Sequence, residues 1–291
     1  FLTGQVRDAS GAQSRLSAFS DLAAQVDNLL SDPKAGVQPA LDGFFGALHD
    51  LSANPADSTT RQALLGQANT LARRLRTMGA QFASLDKQAD TKVGDEVTQI
   101  NTLAQGIANI NAQLQRTGGN PPNDLLDQRD ELVRQLSTHV GVRVAPQDGN
   151  MINVSIGNGQ PLVLGTATQP LKTVANAYDP SRHDVATSDG TVITSQISGG
   201  ALGGVLDFRR DMLDPARNAL GRTAVALADA VNQQHHAGMD LNGQLGGDFF
   251  NTGSPQVLGH RNNAGTAQVA AAFGDVSELT TSDYTMKYDG S

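Results

Sequence analysis

Between Pro55 and Pro121 the chain has no proline, and within that stretch apolar residues recur at alternating steps of four and three. Leu71, Leu75, Met78, Phe82, Leu85 and Ala89 form the first part of the row; Val97, Ile100, Leu103, Ile107, Ile110 and Leu114 form the second. Residues spaced in this way share one stripe of an α-helix, and the mean step is that of a coiled-coil seam. Leu85, Ala89, Val93 and Val97 are four apart throughout, a stutter that locally unwinds a supercoil. The helix opens at Asn54-Pro55, or at Thr59 with Gln62 in capping-box spacing. Taken as one element to Arg116, it spans on the order of 90 Å at 1.5 Å per residue. A rod of that length exceeds one compact domain, and Gly79, Gly94 and Gly106 are where it would break.

Other helical patterns flank this one. From Ser14, Leu16, Phe19, Leu22, Ala23, Val26, Leu29 and Leu30 form a stripe, with breaks at Asp32-Pro33 and Asn54-Pro55. A short helix near Leu41 to Leu51 is expected to bury Phe44, Phe45, Leu48 and Leu51. After the Gly118-Gly119-Asn120-Pro121-Pro122 break, a helix over Asn123 to His139 buries Leu125, Leu126, Leu132, Val133 and Leu136, with an acidic first turn that suits the helix dipole. At Val140 the period changes to two, in Val140, Val142, Val144 and then Ile152, Val154, Ile156. Asp148-Gly149, Asn158-Gly159 and Asp189-Gly190 are turn dipeptides of hairpins, so this part is expected to be an antiparallel sandwich or barrel. Helical spacing then returns in Leu213, Ala216, Leu220, Ala224, Leu227 and Val231, where Pro215 kinks or restarts the helix and Gly238 ends it.

An apolar seam without a partner is unstable in water, so the two seams are expected to pair within one chain and to leave no apolar face over. The fold class is α+β: an elongated helical bundle with an inserted antiparallel β module and the start of a further β domain. Residues 1–139 form the bundle, completed by a returning helix over 203–240. Residues 140–202 are the inserted module, and 241–291 are a linker leading into a truncated second β domain, β-like again at Tyr284 to Tyr288. The structural seam is Leu71, Leu75, Met78, Phe82, Leu85, Ile100, Ile107 and Leu114 on one side and Leu213, Leu220, Leu227 and Val231 on the other. A carboxylate placed at Leu75 or Phe82 is expected to melt the bundle, and Arg209→Ala to do much less.

Composition narrows the function. With 21 Lys+Arg against 29 Asp+Glu, the formal charge of −8 argues against a nucleic-acid groove, which depends on clustered cations. No apolar run exceeds five residues, far short of the ~20 of a membrane helix. The chain has no Cys, which removes disulfides and thiolate chemistry without fixing a compartment. It opens at Phe1 rather than Met and reads as an excised fragment, so the lack of a leader says nothing about export.

The candidate chemical motifs are incomplete. His235-His236 are helix neighbours about 100° apart with no third ligand at a set spacing, and read as solvated groups near a helix C-terminus. Asp240-Leu-Asn242-Gly-Gln244 with Asp248 alternates oxygen ligands but lacks the glycine and the glutamate of a calcium loop. Gly199-Gly200-Ala201-Leu202-Gly203-Gly204 lacks the Gly-Lys-Ser/Thr ending of a phosphate loop and reads as the crossing from sheet to helix. Glu96, Glu131 and Glu278 are isolated in sequence, so no acid pair for hydrolysis is visible. Asp127 to Arg134 reads as a solvated face with an Asp130–Arg134 ion pair.

Three strings carry a resemblance: Phe44-Phe45-Gly46-Ala47-Leu48-His49-Asp50-Leu51-Ser52-Ala53-Asn54-Pro55, the segment Asp124 to Ser137, and Gly203-Gly204-Val205-Leu206-Asp207-Phe208-Arg209. Together with Asn232-Gln-Gln-His235 and Asp248-Phe-Phe250, in order over essentially the whole chain, they resemble the FlgK family of flagellar hook-associated proteins. The resemblance implies a structural subunit at the junction between hook and filament, with no catalytic residue, no cofactor and no metal. It implies as partners neighbouring copies of the same chain, the hook protein, the second hook–filament junction protein, and an export chaperone that binds a C-terminal region absent here; it implies no nucleic acid and no membrane partner. The place would be the extracellular flagellum, reached through the flagellar type III apparatus. Pro215 departs from the pattern by interrupting a helix that the resemblance implies to be continuous. The alternative is a surface adhesin or host-binding module acting through the outer β domain, where Tyr178 is the one aromatic between Val140 and Gly200.

Overall fold

The computed structural model describes residues 2–32, 36–118, 121–240, 242–264, 266 and 268–287, with the backbone alone at Leu2 and Thr3. The expected breaks at Pro33 and at Gly119-Asn120, Leu241 of the acidic loop, and the end of the strand expected at Tyr288 lie outside the described residues. The element order is α1 (Leu2–Ser31), α2 (Gln38–Ala53), α3 (Ser58–Thr117) and α4 (Asn123–His139), then β1 (Val142–Gln147), β2 (Met151–Ile156), β3 (Gln160–Leu164), β4 (Ala167–Thr168), β5 (Lys172–Ala175) and β6 (His183–Ala186), then α5 (Gly200–Phe208), a π-helical segment (Arg209–Leu213) and α6 (Asp214–His236). The protein is α+β.

The long proline-free stretch is one helix: α3 is unbroken through Gly79, Gly94 and Gly106. It starts where Asp57 Oδ1 accepts the Thr59 N–H at 3.0 Å, so Asp57 supplies the cap, and Asn54 instead closes α2. Helix α1 begins well before Ser14. Two burial expectations are corrected. In α2, Ala40, Phe44 and Ala47 are the buried residues, whereas Phe45 and Leu48 are exposed. In α1, Leu22 and Val26 are buried, whereas Leu16 of the expected stripe is exposed.

The chain divides into two compact units, Phe1–Ala24 with Leu85–Arg210, and Gln25–Ser84 with Asp211–Ser291. The chain therefore passes between them within α1, within α3 and inside the π-helical segment.

All the strands belong to the first unit. β1 to β4 form a four-stranded antiparallel meander, and β5 pairs with β6 as a separate two-stranded sheet, in place of the single sandwich or barrel expected. Val142 faces Ile156 and Gln147 faces Met151 across β1 and β2, and the register shifts at Val154/Ser155 where β2 meets β3. Gly149, Gly159 and Gly190 all adopt positive φ in the turns foreseen for them, as hairpin loops require. Val142, Ile152, Val154, Ile156, Leu162, Val185 and Ile193 are buried with Leu136 of α4 and Leu202, Val205 and Phe208 of α5. Phe19 of α1 meets Phe208 edge-on at 6.4 Å, and a Cβ on Gly204 would overlap the Arg15 carbonyl, so glycine sets how closely α5 approaches α1.

In the second unit, Ala40, Phe44 and Ala47 of α2 pack with Leu64, Ala68 and Leu71 of α3, and Leu75, Leu227, Val231, Phe249 and Phe250 close over them. Pro215 neither stops the helical run nor leaves it regular: a widened turn, Arg209–Leu213, lies directly ahead of it. Proline cannot donate to a carbonyl four residues back and its ring crowds that carbonyl; the wider turn removes the demand for that bond. The described tail after Gly238 holds one 3-10 turn, Val276–Glu278, and one isolated bridge, Met239 to Leu245.

Candidate functional site

The residues that organise this protein are polar side chains projected from helices onto backbone that is not helical. Asn111 is fully buried at 0% exposure. Its Nδ2 donates to the Ile152 carbonyl at 2.8 Å and the Gly165 carbonyl at 2.6 Å, and its Oδ1 accepts the Ile152 N–H at 3.2 Å. Three turns earlier, Asn101 repeats the pattern on Leu171, donating to its carbonyl and accepting its N–H, both at 2.8 Å. An asparagine amide has one acceptor and two donors in a plane, so it substitutes for the edge of a neighbouring strand. The second unit uses the same device: Asn232 of α6 accepts the N–H groups of Phe249 and Phe250 and donates to the Phe250 carbonyl, all at 2.8 Å. That contact seats Phe249 and Phe250 on Phe44, with ring centroids 6.4 and 5.7 Å away.

A charged cluster adjoins the β5–β6 sheet in the first unit. Asp86 and Asp90, one turn apart on α3, face Arg182 and His183 of the β6 end and Arg209 of the π-helical segment. Arg182 Nε lies 2.8 Å from Asp86 Oδ2, and Arg209 Nη2 lies 2.6 Å from Asp90 Oδ1. His183 binds Asp90 twice, through its backbone N–H at 2.7 Å and Nδ1 at 2.6 Å. A carboxylate accepts only, so Nδ1 carries the proton. Burial pushes the Asp90 carboxyl up, but hydrogen bonds from Arg209 and His183 outweigh it and hold the group below its ordinary range. Arg209 is 7% exposed. Without it Asp90 would lose one charged hydrogen bond, while Arg182 still holds Asp86 and His183 still binds Asp90.

The twelve seam residues fall as follows. Leu71, Leu75, Leu227 and Val231 come together over Phe44 in the second unit, with Leu75 only half-buried. Met78, Phe82 and Leu213 are buried in that unit, and Leu220 is half-buried. Leu85, Ile100, Ile107 and Leu114 are buried in the first unit.

The remaining motifs have structural partners. His235 Nδ1 donates to the Gly247 carbonyl at 2.6 Å, and His236 Nε2 lies 2.9 Å from Asp248 Oδ1. Asp240 accepts the N–H groups of Asn242 and Gln244, both at 2.8 Å, closing a turn on itself. Gly199 and Gly200 adopt positive φ, and a Cβ on Gly200 would overlap the backbone at His139 and Val140, which fits the crossing read there. Glu96 is isolated in sequence but not in space, since His139 Nδ1 donates to it at 2.7 Å. Arg134 pairs with Glu131 at 2.6 Å rather than with Asp130, which binds Arg129. Arg134 and Gln135 lower the exposed Glu131 carboxyl to about 2.

Among the described residues no group of three or more His, Asp or Glu side chains is placed to hold a metal ion, and no helix is long and apolar enough to cross a membrane. Asn101, Asn111 and Asn232 fix backbone, and the ion pairs of Asp86 and Asp90 join α3 to the residues around β6. Fold and site thus define an α+β protein of long helices whose β elements are pinned to those helices by buried amides and ion pairs.

The family described as the flagellar hook-associated protein FlgK helical domain matches residues 23–250. Flagellar hook-associated protein 1 of Escherichia coli K12 is 40% identical over 298 residues, 99% of this chain and 54% of that protein. The protein of the same name from Salmonella typhimurium LT2 is 40% identical over 300 residues, with 100% and 54% coverage. The solved structure of the flagellar hook junction protein FlgK from Burkholderia pseudomallei superposes with a TM-score of 0.90 at 38% identity, covering 99% of this chain and 53% of that one. The chain belongs to the FlgK family, and it spans about half the length of the relatives it matches.

Sequence reasoning missed Asn101, Asn111, Asn232 and the Asp86–Asp90–Arg209 cluster. Asn111 did carry a signal: it sits between Ile107 and Leu114 at steps of four and three, a polar residue inside the seam.

Proposed function

We propose that this chain is part of a structural subunit that joins hook to filament in the bacterial flagellum. What supports the reading is 40% identity along the whole chain to proteins named flagellar hook-associated protein 1, together with the close superposition on a flagellar hook junction protein. In this reading the chain works without catalysis or cofactor, outside the cell, after export through the flagellar type III apparatus. Its partners are neighbouring copies of itself, the hook protein and the second junction protein, and an export chaperone engages a different part of the subunit. The seam residues from Leu71 to Leu114 and from Leu213 to Val231 serve rigidity, and residues 140–202 are an insertion carried by the helical chain. No observation favours the adhesin alternative. Immunogold labelling of isolated flagella with antibodies to residues 140–200 should give one band where hook meets filament. Label along the whole filament, or on the cell surface and absent from flagella, would overturn the reading.

A further inference from the structure

We propose that Asp86 and Asp90 form an acid-released clasp that holds the β5–β6 sheet against α3, and that it opens without unfolding the helix. A two-stranded sheet alone is marginal in water, so β5–β6 depends on what it is fastened to. Beside the buried Val185 and Ala186, the end of the sheet nearest α3 has a polar fastening: Arg182 and His183 bind Asp86 and Asp90 through three hydrogen bonds of 2.6 to 2.8 Å, one of them from the His183 backbone. Beyond the cluster, the Thr194 hydroxyl and Asn176 take up Asp184, the other carboxylate of β6, so it does not serve the clasp.

The groups facing the two carboxylates are all cationic or able to become so: Arg182 just before β6, His183 of β6 and Arg209 of the π-helical segment. With both carboxylates charged, the attraction is strong because the cluster is largely shielded from water. Neutralising Asp90 removes the counter-charge that Arg209 and His183 face. Asp86 is the looser partner: its Oδ1 and Arg209 Nε, both buried and without a hydrogen bond, lie 3.6 Å apart.

The sign follows from Asp90, whose carboxyl is lowered in the folded protein. A lowered carboxyl stabilises the closed state above its unfolded value of about 3.9, and that stability is lost as pH falls through the folded value. The latch is therefore shut at neutral pH and opens in acid, as pH falls through the lowered Asp90 value. Helix α3, covered over its length by buried apolar residues, does not depend on it.

Hydrogen exchange on the 291-residue chain, read as protection relative to an unstructured reference at each pH, tests this. Peptides covering 172–186 should lose at least tenfold in protection between pH 5 and pH 3, while those covering 85–117 keep theirs. Asp90→Asn, which copies the uncharged carboxyl, should show a loosened hairpin already at pH 7, with circular dichroism unchanged and little further pH response. His183→Ala should loosen the hairpin at pH 7 while α3 stays protected. Joint loss of hairpin and helix in acid, full hairpin protection in Asp90→Asn at pH 7, or loss of helix in that variant would each overturn the clasp.

Discussion

Asn111 and Ile152 are joined by two hydrogen bonds running in opposite directions, the Asn111 amide donating to the Ile152 carbonyl at 2.8 Å and accepting its N–H at 3.2 Å. The asparagine comes from a helix and the isoleucine from a strand, so a single side chain fixes the register between them. Asn111→Ala should leave the Ile152 N–H and the Ile152 and Gly165 carbonyls without that partner, at about 2–4 kcal/mol in urea unfolding. Asn111→Asp keeps the shape but replaces two donors with acceptors in a buried place, and should cost at least as much. A result near wild type for either would mean that the pin is dispensable.

The ranking of seam substitutions follows burial. Phe82 is 0% exposed and Leu75 only half-buried, so Phe82→Asp should be the more damaging, at several kcal/mol. Arg209→Ala should cost less, about 1–3 kcal/mol, because Asp90 loses one charged hydrogen bond while Arg182 and His183 still hold the two carboxylates. Thermal melts followed at 222 nm give the order directly. An Arg209→Ala melt indistinguishable from wild type would contradict the geometry of the cluster.

Glycines in the helices divide sharply. A Cβ at Gly204 overlaps the Arg15 carbonyl, whereas a Cβ at Gly46, Gly66, Gly79 or Gly94 meets nothing within 4 Å. Gly204→Ala should therefore destabilise, by about 1–3 kcal/mol from the forced backbone shift. Gly79→Ala or Gly94→Ala should stabilise, by about 0.5–1 kcal/mol, through lower chain entropy when unfolded. Denaturant midpoints of the three variants test both signs.

Glu131 is an exposed carboxylate bound by Arg134 and Gln135 and titrates at about 2. A carboxyl lowered on folding stabilises above its unfolded value of about 4.3, and that contribution fades as pH falls towards 2. Carbon-detected NMR of the Glu131 side chain should show a midpoint near 2, moving up towards the ordinary range in Arg134→Ala. A midpoint that does not move in the variant would assign the shift to another cause.

What was legible in the sequence was periodic. The row from Leu71 to Leu114 announced α3 because a step of three or four is visible to anyone who counts, and the turn glycines announced the hairpins because few residues accept positive φ. What was not legible was pairing between distant polar residues. Asp86 and Arg209 are each unremarkable in their own segments, and only the fold brings α3, β6 and the π-helical segment together. Exposure of Phe45 and Leu48 was misjudged for a related reason: periodicity marks an apolar face, and the chain's own packing decides how wide a strip of it is covered.

A segment swap bears most directly on the proposed role. The stretch of Escherichia coli flagellar hook-associated protein 1 that aligns with this chain would be replaced by residues 1–291 in a strain lacking that protein, and swimming scored in soft agar alongside electron microscopy of the flagella. The account predicts hooks that carry filaments and cells that swim. A chimera that is exported and folded yet leaves hooks bare would contradict it.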